Sequence, residues 1–441
     1  MNNDFLVTFF NWLKRNEIEY CVLRNYLKLP YCTGGSDLDI LVGPESVSKF
    51  YAHLDELMQA TNSKIIIKYG NITPRLCIVS NKNGKWLGIQ LDVHNAIFPY
   101  KNCNMFPVSF VLDRSFSFNG IQVANESDAK LIGFLKEVLH NGKCTDRYFK
   151  PAQIAWSANH SIYKKALSNI YGKSTFSLLE NCFKENYSQD LIDAFVLSAR
   201  LNLRRNHSSA LFLYESLKNK IQRFYRPPGF TIALLGADGA GKTTVINKIC
   251  APLNAAVHNS LYYEHMRPNL IPNISQVLRS KKQTSGINSN PHLAEPSGFV
   301  GSLVRLNYYF FDYTIGYLVK VYPVKVKKSC IWIFDRYYFD YKIDPRRARI
   351  NLPNWIISFY QLFLPHPDLI LCLGTKPEYI HSRKPELSLE ELTHQMVALR
   401  SFCENKKNAI WIDTGGSIET SSHDALKAIT DIMSSRYADE K

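Results

Sequence analysis

The sequence predicts an α/β protein built on a parallel sheet covered by helices, with a smaller α/β domain and a helical connector ahead of it. Three observations predict this. From residue 226 onward, continuous apolar runs alternate with helical stretches, the pattern of strands buried on both faces. Residues 1–125 mix an amphipathic helix with short apolar runs. Residues 126–225 have few glycines and repeat their apolar residues at three-to-four spacing, as helices do.

A chain of 441 residues exceeds one ordinary core and suits two or three domains. Its hydrophobic fraction of 46% against 21% charged excludes wholesale disorder. The ten cysteines include no C-x-x-C pair and no zinc spacing, so free thiols in a reduced cytoplasm are expected. The first residues, MNNDFLVTFFNWLKRN, lack the basic start, apolar run and cleavage site of a leader. The most apolar stretch, Leu303 to Val324, is interrupted by Arg305, Asp312 and Lys320, too many charges for a membrane span. The net charge of +15 fits a protein that handles small polyanions. No basic-aromatic repeat or nucleic-acid motif accompanies it, so no nucleic-acid partner is expected. One cluster, Arg200, Arg204, Arg205, Lys218, Lys220, Arg223 and Arg226, reads equally as a peripheral contact with acidic lipid or as a charged helical connector. Oligomeric state is not legible.

In the first region, strands are expected at Tyr20–Leu23, Leu38–Val42, Ile65–Ile67 and Gly88–Val93. DAKLIGFLKEVL and SALFLYESLKNKI then read as helices, and RPPG (226–229) ends the helical region. Strands follow at TIALLG (231–236), CIWIFD (330–335), DLILCLG (368–374) and AIWIDT (409–414), with a mobile surface loop over 283–298.

Gly236, Ala237, Asp238, Gly239, Ala240, Gly241, Lys242, Thr243 and Thr244 match G-x-x-x-x-G-K-[ST], after an apolar strand and before a helix. This is the setting of a P-loop NTPase, and it implies binding of ATP with magnesium. The glycines turn backbone N–H groups towards phosphate oxygens at a helix N-terminus. Lys242 neutralises the β- and γ-phosphates, and the Thr243 hydroxyl ligates magnesium.

This loop, followed by Phe334-Asp335-Arg336-Tyr337 and by Pro367-Asp368-Leu369, resembles thymidylate kinase over about residues 228–415. The resemblance implies a phosphotransferase acting on a dTMP-like nucleoside monophosphate or a related small acceptor. It implies that Asp238 faces the acceptor, that Asp335 lies near the magnesium, and that Arg336 and Arg267 clamp the acceptor phosphate. Arg383 and Lys384 fall at the family's lid. Because no arginine sits inside the loop, the transition-state cation must come from elsewhere. Arg383 is one candidate; Arg346, Arg347 and Arg349 are others. Each also has a plain reading, Arg383 as a partner of Glu386 and the arginine triplet as solvated surface. The short lid, the loop 344–349 and the long insertion before Asp335 depart from that family. They are similar to a divergent bacterial branch associated with surface-polysaccharide gene clusters.

In the first region, Gly34-Gly-Ser-Asp37-Leu-Asp39 and Gln90-Leu-Asp92-Val-His94 resemble the nucleotidyltransferase superfamily. Asp37 and Asp39 point the same way on a strand, and Asp92 on a neighbour could complete a magnesium cage. The superfamily's Gly-Ser cradle is replaced by Leu23-Arg-Asn-Tyr26. An active transferase, alone or coupled to the kinase on a sugar or glycan precursor, therefore stands beside a ligand-binding or regulatory domain. A non-catalytic ATP-binding regulator is the third alternative for the whole chain.

Overall fold

The computed structural model describes residues 4–70, 73–100, 103–184, 188–205, 217–218, 220–270 and 297–437. The fold is mixed α/β in two compact units, residues 1–85 with 89–222, and residues 223–441 with 86–88.

In the first unit, helix α1 (Asp4–Arg15) leads into strands β1 (Tyr20–Val22) and β2 (Leu38–Val42). Helices α2 (Val47–Ala52) and α3 (Leu54–Ala60) precede β3 (Ser63–Tyr69), β4 (Arg75–Lys82) and β5 (Lys85–Asn95). A small hairpin of β6 (Pro99–Tyr100) and β7 (Cys103–Asn104) is followed by α4 (Val108–Asp113), β8 (Phe116–Phe118) and β9 (Ile121–Val123). Helices α5 (Glu126–Asn141), α6 (Asp146–Lys184) and α7 (Gln189–Arg205) complete the unit. The seven-stranded sheet runs β3-β4-β5-β2-β1-β9-β8. β4, β8 and β9 were not expected from the sequence.

Alternation along the strands separates two cores. Tyr20, Val22, Ile40 and Val42 join a cluster with α1, α2 and α3. Cys21, Leu23 and Leu41 join a second cluster with Leu131, Leu135, Trp156 and Phe195 from α5, α6 and α7. The stretch expected as a connector is thus, in these helices, one layer of the first unit. The physical reason lies in β2, buried at every position, which needs cover on both faces. α6 breaks at Asn159 and Gly172, where the backbone leaves helical geometry. The expected helix SALFLYESLKNKI lies largely outside the described residues.

This packing makes a prediction. A 1–125 fragment removes the helices over Cys21, Leu23 and Leu41 and is expected to lack a cooperative melt, whereas 1–222 should show one. Thermal circular dichroism with dye binding separates the two, and a sharp transition in the short fragment would contradict the shared core.

The second unit runs β10 (Phe230–Leu235), α8 (Lys242–Ala256), β11 (Leu261–His265), α9 (Phe299–Gly316), a π turn (Tyr317–Val321) and α10 (Tyr322–Lys327). Then come β12 (Ile331–Asp335), α11 (Asp340–Ile343), α12 (Asn354–Gln361), β13 (Leu369–Gly374) and α13 (Pro377–Arg383). α14 (Leu389–Glu404), β14 (Ala409–Asp413) and α15 (Ile418–Ser435) finish it. The sheet order is β11-β12-β10-β13-β14, and all four pairings are parallel. Four strands were expected. The fifth, β11, is an edge strand of mixed exposure, so it lacks a continuous apolar run. Most of the expected loop at 283–298 lies outside the described residues. Among the described residues, no helix is long and apolar enough to cross a membrane.

Candidate active site

β10 occupies the middle of its sheet, and the chain passes from the β12 side to the β13 side of it. Crevices at the carboxyl ends of such strands are where doubly wound sheets hold ligands. The glycine-rich loop leaves β10 there. Gly239 and Gly241 take positive φ angles of 86° and 82°, which other residues adopt only with strain. Gly236 is constrained by space instead, since an added Cβ would lie 2.5 Å from the Leu373 carbonyl oxygen.

Around the loop lies a cavity of about 620 Å³. Lys242, Asp238, Asp335, Arg336, Arg347 and Arg383 all reach it. Lys242 is buried, and its Nζ donates to the carbonyls of Gly236 and Ala237, each at 2.9 Å. Burial and the neighbouring Arg336 push its ammonium down to about 8. Asp238 accepts hydrogen bonds from both Arg336 and Arg347. Burial would raise this carboxyl, but Arg336, Lys242 and Arg347 outweigh it and hold it well below the usual carboxylate range. Arg336 also donates to the buried Asp340 and takes a φ of 77°, uncommon for a side chain of this size. Asp335 receives the Tyr263 hydroxyl on Oδ2 at 3.0 Å, while its Oδ1 is buried with no hydrogen-bond partner among the described residues. Thr243 stands exposed in the first turn of α8 and lines the same cavity as this carboxylate.

The remaining arginines divide. Arg383 donates to the Thr414 carbonyl at 3.0 Å, and it is Lys384 that pairs with Glu386. Of the arginine triplet only Arg347 lines the cavity; Arg346 pairs with Glu391 on the surface, and Arg349 turns back at a φ of 55°. Arg267 is buried against Asp312 at 3.1 Å and over the Tyr308 and Tyr309 rings, outside the cavity lining. The sequence-based placement of Arg267, Arg346 and Arg349 around one acceptor is therefore not what the fold brings together.

In the first unit, the parallel pairing of β2 with β5 sets Asp39 opposite Asp92. Carboxylate oxygens of Asp37, Asp39 and Asp92 lie within 4.8 Å of one another. Arg24 donates to Asp39 and to Asp37, and Arg75 makes a two-pronged contact with Asp92 at 3.0 and 3.2 Å. Burial works to raise the Asp39 carboxyl, but His94 and Arg24 hold it below the usual range. A cavity of about 330 Å³ opens here between the sheet and α5, with Lys136 and His140 on its wall.

No family model matches the chain, and no curated protein matches its sequence. Among solved structures, thymidylate kinase from Ehrlichia chaffeensis is similar at a TM-score of 0.32 and 13% identity. That alignment covers 46% of this chain and 98% of the other.

Several site residues escaped the sequence reading. Arg24 stands where the Gly-Ser cradle was missing, and the absence itself was the available signal. His265 lines the cavity around the glycine-rich loop from the end of β11, where burial pushes its imidazole down. Thr414, Gly416 and Ser417 line it from the β14–α15 turn, and Ser421 from the first turn of α15. Their Thr-Gly-Gly-Ser run after an apolar strand is a loop signal that could have pointed there.

Proposed function

We propose that the second unit is an ATP- and magnesium-dependent phosphotransferase whose acceptor is a nucleoside monophosphate or a related small metabolite. The observation that carries this reading is the cavity itself. It joins a glycine-turned loop, the Lys242 ammonium and an Asp335 oxygen with no hydrogen-bond partner among the described residues to three arginines.

Phosphoryl transfer is chiefly positioning and charge neutralisation. Backbone N–H groups from Gly239 to Thr243 would receive the phosphates, and Lys242 would exchange the Gly236 and Ala237 carbonyls for phosphate oxygens. Thr243 and Asp335 would hold magnesium, which when bound neutralises charge on the transferred group. The acceptor would enter on the side of Asp238. Arg336, tied between two carboxylates, acts as a positioning residue. Arg347 has the freer guanidinium and is the better acceptor clamp. Arg383, with Lys384 beside it, would bring a cation to the transferring group from the lid side.

The test is turnover of ATP with magnesium over a panel of nucleoside monophosphates, sugar phosphates and hydroxylated metabolites, read by mass spectrometry. No phosphorylated product from any of them would count against the reading. Arg347→Ala is expected to raise the acceptor KM about tenfold while leaving the KM for ATP nearly unchanged. Equal increases in both would place Arg347 on the triphosphate instead.

Nucleotidyl transfer by the first unit is the second reading, favoured by the convergence of Asp37, Asp39 and Asp92. Those carboxylates would hold a divalent ion once Arg24, whose side chain is half exposed, swings away. Pyrophosphate release that survives Lys242→Ala and disappears in Asp39→Asn would assign it. Release lost in Lys242→Ala would exclude it.

A further inference from the structure

Away from both sites, the second unit carries apolar surface that its own core does not use. On α9 and the π turn, Val300, Val304, Phe311, Ile315, Leu318 and Val319 are all between 45% and 73% exposed. Their spacing puts them on one side of the helical rod, opposite the buried Leu306, Tyr313 and Tyr317. α12 and the turn after it repeat the pattern. Trp355, Phe359, Leu362 and Phe363, at i, i+4, i+7 and i+8, are more than half exposed, while Ile356 and Ile357 are buried.

The helices that carry the two stripes touch through residues outside the stripes. The Tyr360 ring meets Phe310 at 5.2 Å, and its hydroxyl donates to Asn307 at 3.0 Å. At the far end of the rod, Tyr322 packs on Phe224 at 5.6 Å, next to the exposed Tyr225 and Arg226.

Within the segment 299–366 the exposed charge has one sign, although Glu264 of β11 pairs with Lys320 on the rod. Between Phe299 and His366 the acidic residues are Asp312, Asp335, Asp340 and Asp344, and every one is buried. Exposed Lys327, Lys328 and Lys342 supply cations, and Arg226 continues the basic run already noted in the sequence. Apolar patches of this extent mark a surface that is covered in use. A second copy would bring the same basic residues and another net charge of +15, so pairing sets like charges together.

We propose that this face lies on the surface of an anionic lipid bilayer, with the aromatic and aliphatic side chains in the headgroup boundary and the lysines on acidic headgroups. An apolar stripe with cations around it and interfacial tryptophan is the chemistry such a surface recognises. The proposal is independent of the phosphotransferase reading.

The experiment is flotation of the full chain with vesicles of phosphatidylcholine, alone or mixed with phosphatidylglycerol. Partition into the mixed vesicles should exceed that into the neutral ones by about tenfold or more and should fall with added salt. Leu362→Ser with Phe363→Ser should lower it about tenfold, with thermal melting and ATP binding unchanged, because both side chains are exposed. Lys327→Glu with Lys328→Glu should reduce the preference for anionic lipid. A vesicle-dependent blue shift of tryptophan emission, absent in Trp355→Phe, would place α12 in the boundary. No binding, or equal binding to both vesicles, overturns the proposal. So does a dimer in sedimentation that the serine pair dissociates without any effect on vesicles, which would make a second copy the occupant.

Discussion

Lys242→Ala is expected to cut phosphoryl transfer by about 10²- to 10³-fold with little change in melting temperature. The lysine opens α8 with its ammonium turned to the glycine-rich loop, and its removal takes no apolar packing from the sheet. What it removes is the charge that must meet the β- and γ-phosphates, together with the donor now shared by the Gly236 and Ala237 carbonyls. Those carbonyls can turn to water in an open cavity, so the structural cost stays small. Rate and stability measured on one preparation separate the two effects. Near-normal ATP turnover in this variant would remove the loop from the chemistry.

Arg336→Ala has the opposite signature. This guanidinium is 2% exposed and holds Asp340, equally buried, on one side and Asp238 on the other. Deleting it leaves a carboxylate in the interior without its counter-charge, which costs about 3–5 kcal/mol. The backbone offers a control. At a φ of 77° an alanine keeps the left-handed strain and a glycine does not, so Arg336→Gly should be more stable than Arg336→Ala by about 1 kcal/mol. Chemical denaturation of the full chain reads both, with the two units allowed separate transitions. If alanine costs less than about 1 kcal/mol, the arginine is not the keystone of its ion pairs and its part is confined to the acceptor.

How much of this was legible in the sequence depends on what each residue leans upon. β10, β12 and β13 could be read directly, because strands covered on both faces leave an unbroken apolar run. β11 could not, since an edge strand shows its tyrosines half to solvent. The Asp39–Asp92 pairing followed from strand periodicity and a guess at neighbours. Its partners Arg24 and Arg75 did not, because one lies beyond the end of β1 and the other on β4, a strand the reading missed. The arginine triplet shows the limit well. Three cations in four positions suggested a site, but only the turn geometry, with Ala348 buried between them, decides that Arg347 faces Asp238.

The strand order has a consequence for how the protein is made. The residues that enclose the phosphate loop are drawn from Asp238 through Ser421, from the ends of β10, β11, β12 and β14 and from the end of α13. A partly synthesised or partly folded second unit therefore has a glycine-rich turn but no enclosure around it. A nucleotide bound as proposed would select only the finished sheet, and its binding energy would then count against release of β14 and α15. Ligand occupancy becomes a late proof of assembly, which a growing chain cannot counterfeit.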